Sequence, residues 1–82
     1  MITPDSIERS IAAGLACDHL DVEGDGHHFR AVIVSPAFEG LSKVRQHQLV
    51  YAALGDRMRE EIHALSITTL TPAQWREMLS SQ

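Results

Sequence analysis

Ile62-His63-Ala64-Leu65-Ser66-Ile67-Thr68-Thr69-Leu70 runs directly into Thr71-Pro72-Ala73-Gln74. The nine residues are mostly β-branched or apolar and the next four are a helix-start signal, so the stretch is expected to be a short strand ending near Leu70. Side chains on a strand alternate between faces. His63, Leu65, Ile67 and Thr69 therefore share one face, and Ile62, Ala64, Ser66, Thr68 and Leu70 share the other. An imidazole thus stands at the strand entrance beside two core-type residues. Two readings of it are open: a partly buried histidine satisfied by a backbone carbonyl, or a ligand whose direction the strand fixes.

On the C-terminal side, Thr71-Pro72-Ala73-Gln74 matches a capping box, and Trp75 with Met78 or Leu79 is placed to pack a terminal helix onto the sheet. On the N-terminal side, Ser42 is a plausible N-cap. Val44, Tyr51, Leu54 and Met58, with Val50 and Ala53, form the apolar stripe expected of the helix that follows it. Gly55 interrupts that pattern. Residues 56–61 read as a short separate helical turn or as the continuation of one long bent helix. Further back, Ser35-Pro36-Ala37-Phe38-Glu39-Gly40 breaks a strand expected over residues 28–35, in which apolar residues occupy both parities, as in a central strand covered on both faces. Leu20 and Val22 alternate with Asp21 and Glu23, the pattern of an edge strand with one wet face. Gly24-Asp25-Gly26 turns one strand into the other, so the two should form an antiparallel hairpin. A first helix over about residues 4–16 is opened by Thr3-Pro4 and carries Ile7, Ile11 and Leu15 on one face.

The resulting order is α-β-β-α-α-β-α. It predicts an α+β domain with a three-stranded mixed sheet and helices on one face, the third strand lying parallel to one strand of the hairpin through a right-handed crossover. At 82 residues the chain is long enough for one domain and one modest core, and residues 1–82 are read as that domain. Its apolar runs fall far short of the roughly 18 residues that suggest a membrane span, and no basic segment precedes a greasy one at the N-terminus. A cytoplasmic location is expected. Cys17 is the single cysteine, so no intramolecular disulfide and no all-cysteine metal site can be built from one chain. A formal charge of −4 argues against tight nucleic-acid binding, which draws on neutralised phosphates. No nucleophile, base or phosphate-binding glycine loop stands at a recognisable spacing, and the chain is not expected to be an enzyme.

Three blocks taken together carry a resemblance. They are Gly24-Asp25-Gly26-His27-His28-Phe29, then Phe38-Glu39-Gly40 through Arg45-Gln46-His47-Gln48-Leu49-Val50-Tyr51, then Ile62-His63-Ala64-Leu65 with Thr71-Pro72-Ala73-Gln74-Trp75. The combination resembles the BolA family, particularly its small bacterial members with a short first loop, over about residues 7–75. The resemblance implies a class II KH-like fold and a partnership with a monothiol glutaredoxin. The two proteins would share a [2Fe-2S] cluster held by a glutaredoxin cysteine, glutathione and ligands from this chain, which alone would carry no cofactor and be a monomer or weak homodimer. It implies His63 as one ligand and a second from the loop around residues 24–28. His28 is favoured there because its position before Phe29 matches that of the family's histidine before a phenylalanine, with His27 as its rival; being adjacent, the two point to opposite sides of an extended segment. Imidazole is a good iron ligand, and replacing thiolate by histidine raises a cluster's potential.

A different expectation is a KH-like nucleic-acid-binding regulator of transcription in stress or morphology, using a basic patch of Lys43 and Arg45 with Arg30 near. The family's helix often carries Arg-His-Arg where this chain has Arg45-Gln46-His47-Gln48, one arginine fewer. Only weak nucleic-acid binding is therefore expected. Cys17 is read as a small buried thiol, His19 and His47 as surface residues, and Trp75 as a core anchor.

Overall fold

Thr3 begins the first helix as its hydroxyl predicts, accepting from the amide of Ser6 at 3.1 Å while the Ser6 hydroxyl accepts from the Thr3 amide at 3.0 Å. The computed structural model describes residues 3–55 and 64–81. Helix α1 (Pro4–Gly14) leads into β1 (His19–Gly24), β2 (Phe29–Val34), a 3-10 turn (Pro36–Phe38), α2 (Lys43–Leu54), β3 (Leu65–Leu70) and α3 (Pro72–Ser80). Among the described residues the architecture is α+β, with three α-helices and a three-stranded mixed sheet in the KH-like order. The turn of helix expected over residues 56–61, Met58 of the expected apolar stripe and the strand entrance at His63 lie outside the described residues.

The sheet order is β1-β2-β3, which puts β2 in the centre. β1 and β2 are antiparallel, and β3 runs parallel to β2 with Phe29 opposite Leu65 and Val34 opposite Leu70. Alternation along these strands separates two faces. Leu20, Val22, Phe29, Ala31, Ile33, Leu65 and Ile67 face α1 and α2, and the core forms where they meet Ile7, Ile11, Phe38, Val50 and Leu54. Each buried side chain of this size contributes on the order of 1.5–3 kcal/mol relative to exposure.

Val34 is fully buried but belongs to the opposite face, outside that core. Its register neighbours are His19 and Leu70. The Trp75 ring stacks on His19 there, with centroids 4.5 Å apart and planes 18° from parallel. The expectation of helices on one face thus holds for α1 and α2, while Trp75 carries α3 to the other. The apolar outward parity of Val32, Val34 and Leu70 is the sequence signal for that second covering.

Helix α2 buries Val50 and Leu54 of the stripe expected of it, but turns Val44 and Tyr51 outward and Gln46 inward. Val44 is 67% exposed and Tyr51 37%, whereas Gln46, Val50 and Leu54 are buried. The reason is a satisfied amide. Gln46 Nε2 donates to the carbonyls of Phe38 (3.2 Å) and Leu41 (3.0 Å), and its Oε1 accepts from the buried Thr69 hydroxyl at 2.6 Å. With all its groups paired, a polar side chain occupies a core position at little cost.

Candidate metal-ligand site at the first hairpin loop

The hairpin loop is held by one carboxylate. Asp25 Oδ1 accepts from the backbone amides of His27 (2.9 Å) and His28 (2.8 Å), while the Asp25 amide donates to the His28 carbonyl at 3.2 Å. Gly26 between them sits at φ 95°, the left-handed region that glycine enters without strain. The amides of His28 and, next, His27 hold the Asp25 carboxyl below the usual carboxylate range. At the loop entrance, a Cβ on Gly24 would stand 2.4 Å from the Phe29 ring and 2.6 Å from the His28 carbonyl. Only glycine lets the aromatic ring lie so close.

An open cleft of about 590 Å³ lies against this loop, lined by Asp25, His28, Phe29 and Arg30 on the hairpin and by Ala64 and Ser66 of the β3 segment. The register explains the juxtaposition. Phe29 pairs with Leu65, and paired strands lie about 4.8 Å apart, so the loop exit and the start of β3 are neighbours although far apart in sequence. His28 and His27 are both exposed; His28 lines the cleft and His27 does not. His63 lies outside the described residues, and its immediate successor in the sequence, Ala64, lines the cleft. Among the described residues, no three His, Cys, Asp or Glu side chains come together as a metal cage.

Cys17 is remote from the loop. It precedes β1, whose six residues span roughly 17–20 Å before the loop begins. Its thiol donates to the Leu15 carbonyl at 3.3 Å, and burial, with the nearby Asp18 adding to it, pushes the thiol pKa up. His19, expected at the surface, is half-buried under Trp75, and His47 is half-buried on α2. Arg30 does not join Lys43 and Arg45. Lys43 Nζ donates to the Thr69 carbonyl, and Arg45 is exposed on α2. Arg30 points from the far face of the sheet and pairs with Glu23 at 3.2 Å. Arg30 and α2 are on opposite sides, a consequence of strand parity that the reading of these residues in sequence overlooked. The sequence reading also passed over Asp25, although an aspartate two residues before a turn amide is a known turn-former.

No helix among the described residues is long and apolar enough to cross a membrane. The molecule is thus a small α+β domain of KH-like order with an open cleft between its hairpin loop and its third strand. The BolA-like protein family model matches residues 3–74, and the chain belongs to the BolA family. It is 42% identical over 76 residues to human BolA-like protein 1, a match covering 93% of this chain and 53% of that protein. It is also 37% identical over 70 residues to the acid stress protein IbaG of Escherichia coli K12, covering 84% of this chain and 83% of IbaG. The chain spans about half the length of the human relative and most of the bacterial one. Among solved structures, a bolA protein homologue from Coxiella burnetii superposes with a TM-score of 0.80 at 45% identity, covering 93% of this chain and 99% of that one.

Proposed function

We propose that this chain is the BolA-type partner of a monothiol glutaredoxin, the two sharing a [2Fe-2S] cluster in iron-sulfur trafficking or in iron and redox sensing. The observation that carries the reading is the cleft in which His28 and Ala64, the residue after His63, line one opening. His63 and His28 would be the ligands from this side, with His27 as the alternative loop donor. The donor chemistry fits. Imidazoles suit one iron of such a centre, thiolates must hold the other, and the single cysteine of this chain lies at the opposite end of β1. A glutaredoxin cysteine and glutathione supply those thiolates. Bound there, the cluster provides a one-electron centre whose potential histidine ligation raises. The chain's own part is to present nitrogen donors at an opening wide enough for a partner to approach.

The proposal is tested by reconstitution with a monothiol glutaredoxin, glutathione, iron and sulfide. The protein alone should stay colourless. The mixture should give a heterodimer whose visible absorption and circular dichroism differ from those of the glutaredoxin homodimer. His63→Ala should abolish that difference without unfolding the chain, and an unchanged heterodimer spectrum in His63→Ala would remove the ligand assignment. Nucleic-acid binding belongs to the same proposal as a weak property at most, because Lys43 is engaged with Thr69 and Arg30 with Glu23. Submicromolar binding to a defined duplex at physiological salt, lowered by changing Lys43 and Arg45, would reverse this.

A further inference from the structure

His27 and His28 offer the same donor from neighbouring positions of one turn, and of the two only His28 lines the cleft. A modest rotation of the loop backbone would exchange the one that faces the cleft. Which histidine is presented is therefore decided by whatever fixes that backbone. Packing does not fix it, because residues 24–28 are all exposed. The fixing groups are the Asp25 carboxylate oxygen, which accepts from both histidine amides, and the single backbone bond from the Asp25 amide to the His28 carbonyl. Hydrogen bonds to an ionised acceptor are the stronger kind. With Gly26 already in the left-handed region, the three bonds define one turn.

We infer that Asp25 is the positioning residue of the loop: its carboxylate oxygen locks residues 25–28 in the turn that presents His28, and not His27, at the cleft. The inference rests on the proposed ligand role of the loop. It adds that the choice between two equivalent imidazoles is made through the backbone, by a carboxylate that accepts from both histidine amides. Asp25→Ala removes the acceptor and leaves one backbone bond to hold the turn. Asp25→Asn keeps a carbonyl oxygen at the same place and should keep the turn.

The first arm of the test uses the protein alone, labelled for NMR. In the native chain the His27 and His28 amides should be protected from hydrogen exchange, and the His28 ring should show nuclear Overhauser contacts to Ala64 or Ser66 that the His27 ring lacks. Asp25→Ala should lower the protection of both amides at least tenfold and let His27 acquire part of those contacts, with Ala31 and Ile33 unchanged; Asp25→Asn should resemble the native chain. The second arm uses the reconstituted glutaredoxin complex. On the native background, His28→Ala should alter the spectrum and His27→Ala should not, whereas on the Asp25→Ala background the two should have similar, partial effects. Unchanged exchange and contacts in Asp25→Ala would overturn the inference, as would a loosened loop in which His28 alone still meets the cleft. Failure of the native chain to form any cluster complex would instead remove the proposed function, and the first arm would still decide whether Asp25 selects His28.

Discussion

The two ends of the central strand differ in how completely they are knitted. At the Val34 end, the Asp18 amide donates to the Val34 carbonyl at 2.7 Å and the Ser35 amide to the Leu70 carbonyl at 3.1 Å. The Ser35 hydroxyl donates to the Ala16 carbonyl at 2.6 Å. Val34, Ser35 and Thr69 are buried, with Trp75 stacked on His19 alongside. At the Phe29 end, Arg30 and both loop histidines are exposed, an open cleft lies against Arg30 and His28, and one aspartate holds the turn. The lesson is a division of labour along a strand of six residues. Hydrogen bonding is denser where the chain closes on itself, while at the other end the inward face still carries Phe29 of the core and the outward polar groups are free of a folding role.

That contrast can be broken most forcefully at the closed end. Ile33→Ala, at a fully buried position, is expected to cost about 2–5 kcal/mol in urea unfolding, and Ile11→Ala about 2–4 kcal/mol. A loss under about half a kilocalorie at either site would mean that the core lies elsewhere. Next comes Gln46→Leu, which strands the Phe38 and Leu41 carbonyls and the Thr69 hydroxyl and should cost about 1–3 kcal/mol. In that background Thr69→Val should cost less than it does alone, a coupling that a double-mutant cycle would measure.

Cys17 gives a smaller, chemical signal. The folded state holds the thiol proton more tightly than the unfolded chain does, because burial raises its pKa. Its alkylation at mildly alkaline pH should therefore be slower in the folded protein than in denaturant. The sign of the linked stability follows: it is unaffected below the ordinary thiol value and declines as pH rises from there toward the folded-state value. Equal alkylation rates in the folded and denatured chains would contradict the burial. The smallest effects belong to the open end. His28→Ala and Arg30→Ala should each change stability by less than about 0.5 kcal/mol, the second because the Arg30–Glu23 pair is exposed on both sides. A larger loss from either would show that the loop end shares in the cooperative core.

Local signals made much of this legible in the sequence. The alternation of Leu20 and Val22 with acidic neighbours gives β1, the Gly24-Asp25-Gly26 turn gives the hairpin, and the Thr71 capping box ends β3 at Leu70. Of the inward face of α2, Val50 and Leu54 were legible and Gln46 was not, because it is buried by virtue of Phe38, Leu41 and Thr69, partners that no helical periodicity contains. His19 was read as a surface residue for a similar reason, since the ring covering it comes from the far end of the chain. At the candidate site the histidine pair was reached through the family resemblance. The carboxylate that holds them was not, because its role is played through backbone amides rather than through any pattern of side chains.

The stack of Trp75 on His19 has an optical consequence. Trp75 is the chain's one tryptophan, so its ultraviolet emission samples a single place, the seating of α3 against the closed end of the sheet. Any chromophore assembled at the hairpin loop would absorb in the visible, at the opposite end of the same strands. One cuvette thus offers two colours for two ends of one domain, and a titration that changes one signal while leaving the other flat would say which end had moved.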